Sequence, residues 1–204
     1  MRRPLLLTLA LLLAACGSPD DESAAPAPTT ASATAAASPT PDAAGDPDIE
    51  GLEVVAEELS RGHVSGPIEY DRMPPLGGDH NPRWLACDVY DEPVPLEFAV
   101  HSLEHGAVWL AYDPDLPAGD VEQLERLAAT NREYVLVSPE EGLDSRVVAV
   151  AWGRAIEASD AGDPRLEQFV EAFAGGAQGG EPGVPCRGQG VTPREARGML
   201  GTSA

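Results

Sequence analysis

Four histidines carry most of the chemistry this sequence offers: His63, His80, His101 and His105. They fall in one stretch of the chain, as the ligands of a shared site would. In His101-Ser102-Leu103-Glu104-His105 two imidazoles stand four residues apart, so on a helix they project from one face and can share a metal ion. His80 closes a Gly-Gly-Asp loop of the kind that folds over such a pair, and His63 is the fourth candidate ligand. Imidazole nitrogen suits copper or zinc, and Met73 nearby would tilt the choice towards copper. Glu104 and Asp79 are the candidate partners that orient an imidazole by accepting its other N–H.

Two other readings of the same residues stand beside the metal site. HSLEH fits the HxxEH pattern of a zinc hydrolase, with Glu104 polarising water. That chemistry needs a third ligand, for which Glu167, Glu171 and Glu181 are far enough downstream, and a helix sustained past the motif. Gly106 and AVWLAY end the helix at once. Alternatively, imidazoles near a helix C-terminus interact favourably with its dipole, and the domain is a non-catalytic structural or interaction module. Ser102 sits beside His101 without the strand-turn-helix elbow of a serine nucleophile.

Positioning the histidines falls to the elements around them. Leu52–Glu57 and Val64–Tyr70 read as short strands bounded by Gly and Pro, followed by a turn-rich loop from Met73 to Trp84. Leu96, Ala99, Val100 and Leu103 recur at helical spacing, and Gly106 stands where a helix C-cap belongs. The strand AVWLAY follows. Asp120 and Gln123 begin a second helix with Val121, Leu124, Leu127 and Ala128 as its apolar stripe. Tyr134–Ser138 and Val147–Trp152 are strands, and Asp163-Pro164 starts a helix carrying Leu166, Phe169, Val170 and Phe173. This late β-α-β-β-α order predicts a single α+β domain: a mixed sheet with covering helices, a parallel crossover first and then a hairpin between the next two strands.

The N-terminus reads differently. Met1 to Ala15 has the basic head, short apolar core and small residues of a signal peptide, and nine residues from Leu5 to Leu13 are too few to span a bilayer. Leu13-Ala14-Ala15-Cys16 predicts cleavage and lipidation at Cys16, with acyl chains such as palmitate anchoring the protein to the outer, extracytoplasmic face of the cell membrane. Residues 16–48, built mainly of Ala, Pro, Ser, Thr and Asp, read as a disordered tether. Residues 49–187 make the globular domain and 188–204 a flexible tail. The net charge of −21 makes nucleic acid a poor partner. Every basic residue is Arg, which excludes Schiff-base chemistry and a Walker-type phosphate loop, both of which need a lysine. With Cys16 lipidated, Cys87 and Cys186 remain as one pair in an oxidising compartment. They predict a disulfide that stabilises by roughly 4 to 5 kcal/mol in the chain-entropy view, with Cys87 as a metal thiolate the alternative.

GHVSGPIEYDRMPPLGGDHNPRW followed by FAVHSLEHGAVWLAY resembles an uncharacterised family of bacterial exported lipoproteins, a domain of unknown function. The family's pattern falls on His63, Tyr70, Pro74, Pro75, Gly78, His80, Tyr90, His101, Leu103, Glu104, His105 and Gly106, and the resemblance covers about residues 52–186. It implies that the histidines occupy motif positions, and it brings no established activity.

Overall fold

Strands buried on both faces read as unbroken apolar runs, and VWLAY, VLVSP and VVAVA do so. They form β2 (Val108–Tyr112), β3 (Val135–Pro139) and β4 (Val147–Ala151), buried at every position. The structure, a computed structural model, describes residues 45–201. The expected signal peptide, Cys16 and the tether as far as residue 44 lie outside the described residues. Two more strands, β1 (Glu53–Val54) and β5 (Arg154–Ala158), complete one mixed sheet in the order β1-β5-β4-β2-β3. Only β2 and β3 are parallel, with Val108 opposite Val135. Among the described residues no helix is long and apolar enough to cross a membrane.

Alternation along the strands sends side chains to two cores. On one face Leu110, Val137, Ala149 and Ile156 pack with Leu124 of α2 (Ala118–Ala128) and with Leu166, Phe169 and Phe173 of α3 (Pro164–Phe173). On the other, Trp109, Leu136 and Val150 meet Phe98, Val100 and Leu103 of α1 (Leu96–Glu104), the helix that carries His101. The mixed sheet with covering helices is therefore as expected, and α2 is the connection between the parallel strands. Asp163 caps α3, accepting a hydrogen bond from the Arg165 N–H at 2.9 Å.

The hairpin lies elsewhere than expected. β3 and β4 are not neighbours: β4 crosses the end of β2 and pairs antiparallel on its far side. The Asp113 N–H donates to the Arg146 carbonyl (2.9 Å) and the Glu140 N–H to that of Tyr112 (2.8 Å), which holds the crossing in place. The hairpin joins β4 to β5 through Trp152 and Gly153, with Gly153 at φ +69° as a tight turn requires. Val64–Tyr70 is not a strand. Its Ile68 N–H is taken by the Glu97 carboxylate at 3.0 Å, and sheet-like pairing is confined to His63 opposite His80. The outer edge of β3 is covered by the segment around Val89, where the Tyr90 N–H donates to Val137 O (2.8 Å) and the Val137 N–H to Asp88 O (3.0 Å).

Residues 188–200 are not the flexible tail expected. Val191 bridges to Leu85, and α4 (Pro193–Leu200) begins with a capping box between Thr192 and Glu195. Val191 and Ala196 are buried in the core that covers α1. A single buried face suffices to hold so polar a segment. Cys87 and Cys186 are both buried and stand at disulfide distance, Cα to Cα 5.0 Å, so Cys87 is not a ligand of the histidine group.

Glu140, at the end of β3, is buried at the foot of a hydrogen-bonded chain. Trp109 Nε1 donates to Ser138 Oγ (2.9 Å), Ser138 donates to Glu140 Oε1 (2.9 Å), and the Val94 N–H donates to the same oxygen (2.9 Å). Burial pushes the carboxyl up from 4.5 to about 7 against the pull of these donors. Across that window the folded protein keeps a proton that the unfolded chain has released, so stability falls as pH rises, by about 3 kcal/mol over the whole span. Glutamine retains an acceptor oxygen for both donors. Glu140→Gln should therefore gain stability relative to the wild type as pH rises from 5 to 8 in urea melts, and a pH-independent difference would contradict this.

Candidate metal centre

α1 ends where the chemistry begins. Every residue from Glu97 to Glu104 is buried, so its polar side chains need partners inside the protein. His105 caps the helix, its N–H donating to His101 O at 3.3 Å, and Gly106 turns the chain at φ +92°. A Cβ at Gly106 would stand 2.7 Å from Gly176 O, so the turn also admits the 175–181 segment against the helix end.

Two of the buried imidazoles are each fixed by a carbonyl. His80 donates from Nδ1 to Gly78 O (2.8 Å) and His101 from Nδ1 to Asn81 O (2.6 Å), because a carbonyl can only accept. Both therefore present the Nε2 lone pair. Burial holds His101 down to about 3, opposed by its bond to Asn81 and reinforced by the neighbouring imidazoles, so it is neutral at physiological pH and needs no deprotonation to bind a cation. His63 comes from an exposed segment and lies flat against His101, ring centroids 5.1 Å apart. Trp152 meets the His80 ring edge-on at 5.8 Å, and Trp84 packs on His101 and His105 at 5.6 and 4.7 Å.

Glu104 points into this group. Its Oε2 lies 3.0 Å from His80 Nε2 and its Oε1 3.3 Å from Arg61, whose guanidinium stacks over Trp152. The His80–Glu104 approach is close without the geometry of a hydrogen bond, and His80 Nε2 is buried with no hydrogen-bond partner. Leaving such a nitrogen unpaired costs about 1–3 kcal/mol. One ligand atom each from His63, His80, His101 and Glu104 lies within 4.8 Å of all the others. Four ligands set tetrahedrally at about 2.0–2.1 Å from one ion stand about 3.4 Å apart, so the widest pair of the group would close by up to about 1.4 Å on a cation.

Two expected roles change. Glu104, expected to orient an imidazole from outside, is one of the converging donors. Asp79, expected beside it, touches no imidazole: its carboxylate accepts from Ser60 Oγ and from the Gly62 N–H (3.2 Å) and so shapes the turn that presents His63. His105 lies outside the four-donor group, its Nε2 3.1 Å from His101 Nε2 and 3.4 Å from Glu181. Burial lowers its basicity against the pull of Glu181 and Glu104. With Glu104 among the donors and His105 outside, the HxxEH hydrolase roles are reversed. Arg61 and the two tryptophans were not singled out from sequence, and nothing in their spacing marks them.

The class is now defined: an α+β domain built on one mixed sheet, with three imidazoles and a carboxylate gathered beside a helix buried from Glu97 to Glu104. The chain belongs to the DUF3105 family, proteins of unknown function, which matches residues 63–188. That span runs from the first histidine to just past Cys186 and so takes in every residue of the group and both cysteines. Comparison with curated proteins and with solved structures finds no match.

Ser102 has a role that the sequence does not suggest. Its hydroxyl donates to Leu85 O (2.8 Å) and accepts from the Leu85 N–H (3.1 Å), pinning to α1 the loop that places Trp84. Ser102→Ala leaves the Leu85 carbonyl without this donor and should lower stability by about 1–3 kcal/mol in urea unfolding. An unchanged midpoint would show that the bond contributes nothing.

Proposed function

We propose that this protein is a transition-metal-binding domain, held by a lipid on Cys16 at the outer face of a bacterial membrane, and that His63, His80, His101 and Glu104 hold the ion. The observation that carries the metal reading is the buried Nε2 of His80, which lacks a hydrogen-bond partner among three further donors. Imidazole nitrogens with one carboxylate oxygen suit copper or zinc. The ion supplies a partner for lone pairs that the fold otherwise leaves facing one another. Two separate apolar cores and a cysteine pair already support the fold, so the ion is bound by the domain rather than needed to build it.

Titration of Cu²⁺ and Zn²⁺ into metal-stripped protein, followed by calorimetry, tests this. One equivalent of at least one metal should bind, and His80→Ala or His101→Ala should each weaken binding at least about tenfold. His105→Ala should matter less, since its nitrogen stands outside the group. If the wild-type protein binds neither metal, the cluster is a structural core and the interaction-module reading takes its place.

The lipid reading rests on Leu13-Ala14-Ala15-Cys16 following a short apolar core. Cells fed a palmitate analogue should label the protein, and Cys16→Ser should remove both the label and membrane association. Retention of the Cys16→Ser protein in the membrane fraction would overturn the anchor.

A further inference from the structure

His105, the imidazole outside the four-donor group, has distinctive surroundings. It is buried, 4% exposed, yet its Nδ1 has no partner. Nδ1 of His80 and of His101 is tied to a carbonyl, which fixes the tautomer of each. His105 takes the opposite tautomer, with its proton on Nε2, because both groups that face this nitrogen can only accept. Its Nε2 faces two groups at once, His101 Nε2 at 3.1 Å and Glu181 Oε2 at 3.4 Å. Glu181 reaches solvent, its side chain 61% exposed.

The backbone that carries Glu181 is held tightly against the helix end. The Gly175 N–H donates to Gly106 O (2.8 Å) and the Glu181 N–H to Glu104 O (3.2 Å), and Arg61 donates to Gly179 O. A Cβ at Gly179 would collide with the Glu104 carbonyl, so the glycine lets the segment lie close enough for Glu181 to reach His105. Donor atoms therefore run without a break from solvent to the centre: the Glu181 carboxylate, the His105 imidazole, then His101.

An apolar ring packed under Trp84 would fill the place of His105 without burying an unpaired nitrogen. The imidazole is thus explained by a ligand that it meets and releases. His80 and His101 hold their lone pairs among the four donors, as permanent ligands do; the unpartnered Nδ1 lone pair of His105 stands outside that group, as suits a transient one. We propose, building on the metal-binding reading of the inner group, that Glu181 and His105 form an outer loading position for a divalent transition-metal ion, through which it passes to His101 and its neighbours. The carboxylate captures the hydrated cation, helped by the acidity of the whole chain, and the imidazole replaces part of its water. Two donors hold weakly and four hold firmly, so affinity rises inward.

The test mixes Cu²⁺ rapidly with the full chain, metal-stripped in detergent, and follows quenching of tryptophan fluorescence, since Trp84 and Trp152 touch the histidine rings. Release is measured by adding a chelator. Glu181→Gln should slow loading and release alike, each about tenfold, leaving Kd changed by less than about twofold. His105→Phe, an apolar ring of similar size, should repeat the slowing. Glu122→Gln on α2, which removes the same charge elsewhere, should change neither rate. Loading by Glu181→Gln at the wild-type rate would overturn the proposal, as would a rise in Kd with loading unchanged, which would make Glu181 a ligand and not a way in. Failure of the wild-type protein to bind Cu²⁺ or Zn²⁺ at all would instead remove the inner site, a result separable from either.

Discussion

A helix buried along its length must find partners inside the protein for every polar side chain it carries, and α1 carries four of them in eight residues. The surrounding chain is arranged to supply these partners. Glu97 takes the Ile68 N–H, His101 takes the Asn81 carbonyl, Ser102 takes both backbone groups of Leu85, and Glu104 takes the Arg61 guanidinium. The long stretch from residue 60 to 90 has almost no regular structure, and it is tied to α1 through backbone groups of Ile68, Asn81 and Leu85. The same contacts that satisfy the helix bring His63 and His80 to His101.

The two faces of the sheet accordingly do different work. The face under α2 and α3 is apolar throughout and carries the ordinary burden of stability. The other holds α1 and the polar group, enclosed by the 84–87 loop, the 175–186 segment and α4. Cys87 and Cys186 join two of these enclosing pieces: one runs back to Trp84, which packs on the histidine rings, and the other back to Glu181. The paired cysteines thus brace the walls of the centre, a stronger reason for their placement than closure of a long loop.

Much of this was legible from residue patterns. Strands β2, β3 and β4 announced themselves as apolar runs, α3 by its Asp-Pro start, and the end of α1 by Gly106. β5 was not, because Arg154-Ala155-Ile156-Glu157-Ala158 is composed largely of good helix formers and is held extended only by pairing with β4. The hairpin was misplaced for the same reason: without β5, β4 had only β3 to pair with. At the centre, clustering of the histidines was visible in sequence, whereas the exchange of roles between Glu104 and His105 was not. Helical spacing puts His101 and His105 on one face, but which side chain converges on His80 depends on a loop whose course no periodicity encodes. α4 was missed because only Ala196 and Pro193 of its eight residues are buried.

Both edges of the sheet are blunted as templates. At one end β1 is two residues long and presents Glu53 to solvent; at the other, residues 88–90 already occupy the hydrogen-bonding groups of Val137. Copies brought side by side would therefore meet, among the described residues, edges that are short or partly paired already. Self-association by strand addition, the common hazard of small sheet proteins at high local density, is thus hindered at both ends of the sheet by the fold itself.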